Sequence, residues 1–320
     1  MILLLGASGY FGRAFADELR RRGHSFIPLT RRAFDYTRFD FLFDYLRNIK
    51  PVFLINAANY SGQPHDPGCE REREQAMSAN ALLPQMIARV CLMTKTPWGH
   101  VSSGCIYAGG KITEDGQERV EKDLGGPEIR QLFAAHPERF RGYSEADEAN
   151  FSFRHPPCNF YSGTKALAEE AIHEIGQCYI WRLRLPFNGR DEPCNLLCQQ
   201  PEYMDDAINS LSHLEDCVRA CLDLWEIRAP FGIYNVTNPG AVAAREIVQG
   251  RIRAEQSQRG AASGRSHAFP AKTPRSNCIL DVSKLLHSGI KIRTVNEAME
   301  ESLAGLRAAL RVGKPNGFNN

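Results

Sequence analysis

Short apolar runs alternate with amphipathic segments through most of the chain. Runs rich in aliphatic and aromatic residues predict strands at 2–5, 25–29, 52–56, 98–103, 179–184 and 231–236. Apolar positions recurring three and four residues apart predict helices at 12–22, 39–48, 77–92, 166–174, 214–224 and 294–310. Strands separated by helices pair in parallel through right-handed crossovers. The pattern therefore predicts an α/β fold with a doubly wound parallel sheet of the Rossmann type.

Two polar segments interrupt this alternation. Residues 109–157 are rich in glycine and charge, and residues 256–274 predict a loop. We predict an N-terminal Rossmann domain over residues 1–187, to which 218–240 return, with an insertion at about 109–157. The predicted smaller C-terminal α/β substrate lobe comprises 188–217 and 241–320.

Charge and composition narrow the class of protein. The 320 residues are 43% hydrophobic, and 39 basic residues nearly balance 37 acidic ones without a long basic run, which argues against nucleic-acid binding. The apolar run at the N-terminus is too short for a membrane helix and follows no basic segment. Ten cysteines occur without C-x-x-C pairs or metal-ligand spacing, so we expect reduced thiols, no metal site and a cytoplasmic location.

The sequence Gly6-Ala-Ser-Gly9-Tyr-Phe-Gly12 follows the first predicted strand and opens the first helix. In a dinucleotide-binding turn the first glycine allows a tight turn, the second admits the pyrophosphate, and the third lets the helix pack on the strand. The helix N-terminus then offers free N–H groups to phosphate oxygens. We therefore predict cofactor contacts from this turn, including Ser8, Tyr10 and Phe11. A glycine turn without a ligand is the alternative interpretation.

The end of the second predicted strand indicates which dinucleotide is bound. A carboxylate there would bind the ribose 2′-hydroxyl of NAD, whereas an arginine favours the 2′-phosphate of NADP. The chain has Arg31 and Arg32 at this point and no carboxylate before Asp35. We therefore predict NADPH, with NADH as the alternative, and count these three residues as cofactor-binding.

Three side chains form a candidate catalytic group. Tyr161 and Lys165 lie four residues apart, on one face of a helix. An ammonium beside a phenol lowers the phenol pKa and can hold the nicotinamide ribose, and the phenol can protonate a carbonyl oxygen as hydride arrives. Ser103, at the end of the fourth predicted strand, can hydrogen-bond the same oxygen. Ligands of open parallel sheets bind beyond the carboxyl ends of the strands, where these three side chains would meet.

These motifs resemble the extended short-chain dehydrogenase/reductase family over nearly the whole chain. The matching positions are the glycine turn, Asn56-Ala57-Ala58, Asn80, Ser103 and Tyr161/Lys165, and the resemblance places Ala57, Ala58 and Asn80 at the cofactor. Within the family, Pro274-Arg275-Ser276-Asn277 is similar to the dTDP-4-dehydrorhamnose reductase branch. Two further strings are similar to plant nucleotide-rhamnose synthase epimerase/reductases: Arg182-Leu-Arg184-Leu-Pro186 and Asn235-Val-Thr237-Asn238-Pro239-Gly240. The resemblance implies NAD(P)H-dependent reduction of a nucleotide-linked 4-keto-6-deoxyhexose.

The resemblance also implies a role for Cys105. Related epimerase/reductases have a cysteine two residues after the catalytic Ser or Thr, which exchanges protons on the carbons that the ketone acidifies, and Cys105 matches it. Their second acid/base is a lysine or histidine, but Gln199 stands at the lysine position, and glutamine cannot exchange a proton at neutral pH. We therefore predict a reductase and leave 3- or 5-epimerisation open. A small buried structural thiol is the alternative for Cys105.

On the substrate side, the resemblance implies that Asn195 contacts the nucleotide diphosphate and that Arg275 contacts a phosphate or ribose oxygen. Residues 110–141 extend a loop that is shorter in the plant enzymes. Because they precede the catalytic tyrosine, they are interpreted either as a lid or subunit contact over the sugar site or as a plain surface insertion.

Two other functions are open at this point. A nucleotide-sugar epimerase or dehydratase with internally recycled NAD would favour an acidic residue at the end of the second strand, which is missing. A non-catalytic, dinucleotide-binding regulatory subunit need not keep the serine, tyrosine and lysine together, and all three are present. The expected partner is a nucleotide-diphosphate sugar, with no nucleic acid or membrane, and a homodimer is left open.

Overall fold

A computed structural model describes residues 1–61, 68–199, 206–243, 245, 247–249, 251–252 and 274–312. Within these ranges the strands are β1 (Ile2–Leu5), β2 (Phe26–Leu29), β3 (Phe53–Asn56), β4 (Trp98–Ser103), β5 (Gly110–Glu114), β6 (Gln117–Glu121), β7 (Phe140–Arg141), β8 (Cys178–Leu183), β9 (Pro186–Phe187), β10 (Ile208–Asn209), β11 (Ser212–His213), β12 (Gly232–Asn235) and β13 (Val242–Ala243). The helices are α1 (Tyr10–Arg21), α2 (Phe39–Ile49), α3 (Gly68–Arg71), α4 (Arg73–Met77), a π-helical turn (Ser78–Leu82), α5 (Leu83–Thr94), α6 (Pro127–Ala135), α7 (Phe160–Ile172), α8 (Leu214–Glu226), α9 (Ser283–His287) and α10 (Val295–Val312). The loop predicted at 256–274 lies outside the described residues, apart from its last residue.

Six strands form one parallel sheet in the order β12-β8-β4-β3-β1-β2. The chain runs from β1 to β2 on one side and then returns to β3 on the other side of β1, so the winding reverses between β1 and β3. Leu5 at the end of β1 is in register with Asn56 at the end of β3, and Asn56 is in register with His100 of β4. The predicted doubly wound parallel sheet is confirmed, and its switch point lies between β1 and β3.

Helices cover both faces of this sheet, and its central strands are therefore buried. All residues of β1, β3 and β8 are buried, as is typical of parallel strands that are covered on both faces. On one face the helices α1 and α8 pack through Phe15, Leu19, Val218, Cys221 and Leu222. On the other face α2 and α5 pack through Leu42, Leu46, Ile87, Ala88 and Val90.

The stretch Arg73–Thr94, which comprises α4, the π-helical turn and α5, is long and apolar enough to cross a membrane by length and composition alone. Its most apolar window is 50% buried inside the protein, however. Ile87 and Val90 lie in the same core cluster as Trp98 of β4. Packing against the sheet therefore accounts for the apolar character of this helix.

A separate apolar cluster lies in the predicted substrate lobe. Its members include Leu196, Leu211, Val295, Met299 and Leu306, and Phe187, the last residue of the predicted Rossmann domain, packs with them. Leu285 and Ile290, which the sequence assigns to the same lobe, pack instead in the core beside α8, and α8 itself begins at Leu214. The exact division into domain and lobe stays a prediction.

The insertion contains more regular structure than the sequence predicts. β5, β6 and β7 form an antiparallel sheet in the order β6-β5-β7. Asp115 and Gly116 join β5 to β6 with φ angles of 49° and 78°, and a pair of positive φ angles is what a tight type I′ hairpin turn requires. β6 shows no apolar alternation because four of its five residues are exposed.

Apolar side chains of the insertion pack against residues of the predicted substrate lobe. Four of its apolar side chains, those of Leu124, Ile129, Phe133 and Phe140, share a cluster with Ala207, Ile208 and Ile279. The Leu124 carbonyl accepts a hydrogen bond from the Ile208 N–H at 3.2 Å. These contacts hold the insertion to β10 and to the segment that follows residue 274.

Candidate functional site

A cavity of about 1110 Å³ lies at the carboxyl edge of the parallel sheet. Gly6 follows β1, Ala57 and Ala58 follow β3, Ser103 ends β4, and Arg184 follows β8, and all five residues line this cavity. Open α/β sheets bind ligands at this edge, beside the switch point. The cavity is therefore the candidate functional site.

The glycine turn forms one wall of the cavity. Gly6 has a φ of 75°, and a Cβ atom there would lie 2.5 Å from the Ala58 nitrogen. A Cβ atom on Gly12 would lie 2.0 Å from the Gly6 carbonyl oxygen. Side chains at either position would force the turn away from β3 and from α1, so both glycines are required by close backbone contact.

Of the six predicted cofactor residues of this turn, five line the cavity and one does not. Gly6, Ser8, Gly9, Tyr10 and Phe11 line the cavity, and the backbone enters α1 directly after Gly9. The first N–H groups of α1 therefore begin beside the cavity, as a phosphate-binding helix N-terminus requires. Gly12 does not line the cavity, and its contribution is the close packing of α1 on the turn.

The far end of the cavity is basic. Arg31 and Arg32 line it together with Thr30, Tyr36 and Thr37. The predicted cofactor residue Asp35 does not line the cavity; its carboxylate accepts hydrogen bonds from the N–H and hydroxyl of Thr37, at 3.2 and 2.5 Å. Both arginines thus line the cavity directly after β2, and the nearby carboxylate is used within its own turn.

Ser103, Tyr161 and Lys165 meet at the opposite end of the cavity. Ser103 and Tyr161 line the wall, and Lys165 is buried behind them with its Nζ atom 5.9 Å from the centre of the Tyr161 ring. Tyr161 lies in the first turn of α7, where Asn159 caps the helix by accepting a hydrogen bond from the Ser162 N–H at 2.7 Å. The sheet edge and the helix start therefore bring the three predicted side chains together.

Burial controls the protonation of Tyr161 and Lys165. It raises the pKa of the Tyr161 phenol well above its ordinary value, although hydrogen bonds with Asn59 and Ser103 act in the other direction. Burial also lowers the pKa of Lys165 to about 8. The net effect on the phenol pKa is therefore upward, because burial dominates, and the Lys165 ammonium donates to the Val101 carbonyl at 3.2 Å. Tyr161 is a protonated phenol at neutral pH and is suited to donate a proton.

Cys105 lies on the same wall, in a short 3₁₀ turn after β4. Its side chain is buried, and its N–H donates to the Ser103 Oγ at 3.2 Å. Burial raises the pKa of the thiol, and the hydroxyls of Ser103 and Ser162 act in the other direction. The thiol thus faces the cavity beside the predicted catalytic serine.

Gln199 also lines the cavity, at the position where the resemblance expects lysine. His155 and His213, the histidines that might replace the missing lysine as second acid/base in a sequence-based interpretation, do not line the cavity, and His213 caps α8 by accepting a hydrogen bond from the Asp216 N–H at 3.4 Å. Among the described residues, no lysine or histidine lines the cavity. Cys105 is the proton-exchanging group that lies beside Ser103 and Tyr161, while the other ionisable acids that line the cavity are Tyr10, Tyr36, Glu74 and Cys194.

Two predicted binding residues have structural contacts instead of cavity contacts. The Asn195 amide donates to the carbonyls of Asn188 and Arg190 at 2.8 and 2.6 Å, and its oxygen accepts from the Leu197 N–H at 3.1 Å. The Asn80 amide pairs with both backbone groups of Tyr60, at 2.7 and 2.8 Å. Both amides thus close loops, and neither lines the cavity. Arg275, in contrast, lines the cavity, and its contact with the substrate stays a prediction.

Sequence reasoning missed Arg184, Asn209 and Asn277, which also line the cavity. Arg184 had one usable signal, namely its place directly after a buried strand of the parallel sheet. None of residues 110–141 lines the cavity, so the insertion does not form a lid in this structure. All ten cysteines are free, and within the described ranges no group of three His, Cys, Asp or Glu side chains could hold a metal ion.

The sheet order, the glycine turn and the Ser–Tyr–Lys group define a Rossmann-fold protein with a dinucleotide-type cavity. The sequence profile of the RmlD substrate-binding-domain family matches residues 1–308. The chain therefore belongs to the RmlD family.

Individual relatives are similar at low identity. A trifunctional UDP-glucose 4,6-dehydratase/UDP-4-keto-6-deoxy-D-glucose 3,5-epimerase/UDP-4-keto-L-rhamnose-reductase of Arabidopsis thaliana is 27% identical over 251 residues, 77% of this chain and 33% of the relative. The chain thus spans about a third of that protein's length. A bifunctional dTDP-4-dehydrorhamnose 3,5-epimerase/dTDP-4-dehydrorhamnose reductase of Arabidopsis thaliana is 25% identical over 250 residues, 77% of this chain and 73% of the relative. A solved dTDP-4-dehydrorhamnose reductase from Bacillus anthracis, in complex with NADP, has the same fold with a TM-score of 0.66 at 19% identity, covering 97% of both chains.

Proposed function

We propose that the protein is an NADPH-dependent reductase of a nucleotide-linked 4-keto-6-deoxyhexose, with proton exchange at Cys105 on a carbon beside the ketone. The observation that carries the proposal is the meeting of Ser103 and Tyr161 on one cavity wall, with Lys165 behind them and the glycine turn opposite. The Arabidopsis relatives carry reductase and 3,5-epimerase names, and the Bacillus anthracis protein binds NADP.

The residues present fit an NADP cofactor. Gly6, Ser8 and Gly9 line the cavity where the backbone enters α1, and Arg31 and Arg32 supply two cations that would bind the 2′-phosphate. The basic far end favours NADPH over NADH, and it disfavours an epimerase or dehydratase that keeps NAD between cycles. When bound, NADPH supplies a hydride to the ketone carbon.

The protein's own groups handle the proton. Tyr161 donates its phenolic proton to the ketone oxygen as hydride arrives, and its raised pKa keeps that proton in place at neutral pH. Ser103 donates a hydrogen bond to the same oxygen. Lys165 is charged below about pH 8, and its ammonium would hold the nicotinamide ribose. Arg275 lines the cavity and binds a phosphate of the nucleotide sugar.

Turnover of UDP- and dTDP-4-keto-6-deoxyglucose, followed by the loss of NADPH absorbance, tests the proposal. Tyr161→Phe removes the proton donor and is expected to lower kcat by about 10²–10⁴-fold. Tyr45→Phe is the matched control, because Tyr45 lies on α2 against Phe34 and outside the cavity. Saturable NADPH binding without turnover of any such sugar would contradict the proposal and favour a regulatory dinucleotide-binding subunit.

We also propose that the chain works as a cytoplasmic homodimer. Ten free thiols favour a reducing compartment. The neighbouring helices α5 and α7 expose apolar side chains on or beside them, namely Leu82, Met93 and Leu167. A second copy of the chain would bury such side chains. Sedimentation of the wild-type protein and of Leu167→Glu tests this idea. We expect a dimer and a monomer, respectively, and a monomeric wild-type protein would contradict it.

A further inference from the structure

Two arginines at the end of β8 are buried, but only one has an acidic partner. Arg182 pairs with Glu169 through Nη2 at 2.7 Å. Arg184 is 5% exposed and forms no ion pair with any described carboxylate. Its Nη2 atom donates to the Asn209 Oδ1 at 2.8 Å and to the Ser276 carbonyl, while its Nε atom is buried without a hydrogen-bond partner. A buried guanidinium without a counter-charge is costly, so its presence on a cavity wall calls for an anion at that wall.

The short segment 276–278 forms hydrogen bonds both to Arg184 and to the turn that carries Cys105. The Ser276 carbonyl accepts from Arg184, and the Ser276 hydroxyl donates to the Tyr107 carbonyl at 2.6 Å. The Cys278 thiol donates to the Gly104 carbonyl at 3.2 Å. Asn209 joins the two sides, because its Oδ1 accepts from Arg184 and from the Cys278 N–H, at 2.8 and 3.0 Å. Arg184 is therefore fixed beside the Cys105 turn, on the same cavity wall.

We propose that Arg184 is the positioning residue for proton exchange at Cys105, and that its guanidinium compensates the negative charge of the Cys105 thiolate. The inference rests on the proposed exchange chemistry. Cys105 first releases its proton to solvent in the cavity, and the thiolate then takes the proton from the carbon beside the ketone. The C–H electron pair forms the enolate, whose charge lies on the ketone oxygen, and the proton stays on sulfur until it returns to carbon or exchanges with water.

The other groups around Cys105 do not replace Arg184. Burial raises the pKa of the thiol, while Ser103, Ser162, Arg184 and Lys165 act in the other direction. The hydroxyls carry no charge, and the nearby Tyr161, Cys69, Cys158 and Cys278 have raised pKa values and are neutral at neutral pH. Lys165 donates to Val101, and burial lowers its own pKa to about 8. Arg184 is the cation that stays charged at every accessible pH.

The pH dependence of Cys105 alkylation tests the electrostatic link without any turnover. The protein with NADPH is treated with iodoacetamide across a pH series, and the peptide containing Cys105 is quantified by mass spectrometry, with Cys105→Ser as the blank. We expect Arg184→Met and Arg184→Gln to move the alkylation midpoint upward by about 1–3 pH units. Arg184→Lys keeps a positive charge and should move it less. Arg154→Met, an exposed arginine paired with Glu170, is the control and should not move it.

The glutamine variant can still donate to the Ser276 carbonyl, so it carries the test if the methionine variant fails to bind NADPH. If Arg184→Met and Arg184→Gln, which both lack the positive charge, kept the alkylation midpoint of the wild-type protein, the inference would be overturned. A merely structural role of Arg184 would leave the titration of the Cys105 thiol unchanged. An equal shift in Arg184→Lys and Arg184→Met would also overturn it.

Deuterium incorporation separates this inference from the proposed function. In deuterated water, the neutral Arg184 variants are expected to lose deuterium exchange at the sugar carbon more strongly than they lose NADPH oxidation. Equal loss of both, with a raised KM and an unmoved alkylation midpoint, would make Arg184 a substrate-binding residue and overturn the inference. Absence of exchange in the wild-type protein, together with a shifted midpoint in the variants, would reject the exchange proposal while the Arg184–Cys105 link holds.

Discussion

Glu169 on α7 and Arg182 on β8 form a buried ion pair, with the carboxylate 2.7 Å from Nη2 and 2.8 Å from Nε. Both side chains are 5% exposed. The same carboxylate accepts the Ser102 hydroxyl at 2.5 Å, and Arg182 also donates to the Tyr107 hydroxyl at 2.9 Å. Because α7 carries Tyr161 and Lys165 and β4 ends at Ser103, this network fixes the distance between the proposed catalytic groups.

Removing one partner of this pair is expected to destabilise the protein strongly. Glu169→Ala leaves the Arg182 guanidinium buried without a counter-charge, which should lower the free energy of unfolding by about 3–5 kcal/mol. Urea denaturation measures the loss. Glu170→Ala is the matched control, because the next residue is exposed and its pair with Arg154 is screened by solvent, so we expect a loss below about 1 kcal/mol. Equal losses in the two variants would contradict the assigned role of Glu169.

The glycine turn provides a second prediction. Gly12→Ala would place a Cβ atom 2.0 Å from the Gly6 carbonyl oxygen. Because both atoms belong to fixed backbone, α1 must shift away from the turn, and we expect the Kd for NADPH to rise more than about tenfold, or at least 1.4 kcal/mol. Fluorescence titration with NADPH measures it.

Gly126→Ala is the control for this substitution. Gly126 has a φ of −57° and its closest neighbour would lie 3.5 Å from the new Cβ atom, so NADPH binding should not change. Unchanged affinity in Gly12→Ala would mean that the turn is not the dinucleotide site.

The Rossmann layer could be predicted from the sequence because its strands are short, mainly apolar runs that alternate with helices of clear periodicity. Ser103, Tyr161 and Lys165 could be placed together because the carboxyl ends of parallel strands share one edge. The hairpin of β5 and β6 was missed, since its polar strand is exposed, although Asp115-Gly116 is itself a hairpin signal.

Other parts of the site depend on contacts between distant residues. Arg184 meets Ser276 across 92 positions of the chain, and no local pattern indicates that encounter. Asn195 and Asn80 were predicted to bind ligands, but their amides hydrogen-bond to the backbone of nearby loops. The sequence does not distinguish these two roles, because an asparagine amide suits both. The pKa of Tyr161 could not be predicted from the Tyr–Lys spacing, since the depth of burial decides its direction.

Cofactor preference can be tested at the basic end of the cavity. Arg31→Ala and Arg32→Ala remove cations from the proposed 2′-phosphate site, and each charge-assisted hydrogen bond lost is worth about 1.5–3 kcal/mol. We expect the KM for NADPH to rise about 10–100-fold in each single variant and more than about 100-fold in the double variant, while the KM for NADH stays unchanged. Steady-state kinetics with both cofactors measure the difference.

Arg38→Ala is the matched control, because Arg38 is paired with Asp40 at 2.9 Å and does not line the cavity. If the KM values for NADPH and NADH rose in parallel in the double variant, the arginines would not bind the 2′-phosphate.

Lys165 is expected to decrease stability while it supports activity. Its pKa in the folded protein is lowered from 10.5 to about 8, so the unfolded chain binds more protons between these two values. Stability should therefore rise with pH from about 8 to 10.5, and below pH 8 the charged lysine should cost roughly 3 kcal/mol, at 1.36 kcal/mol for each pKa unit. Lys165→Met removes this cost and, with it, the group that holds the ribose.

We thus expect Lys165→Met to lose turnover and yet to resist urea better than the wild-type protein at neutral pH, with the difference shrinking as the pH approaches 10.5. Denaturation curves at neutral pH and near pH 10 measure both free energies. Lys122→Met replaces an exposed lysine of the insertion and is the control. It should change the free energy of unfolding by no more than about 0.5 kcal/mol at either pH. A Lys165→Met protein that is less stable at neutral pH would show that the hydrogen bond to Val101 outweighs the cost of burying the ammonium.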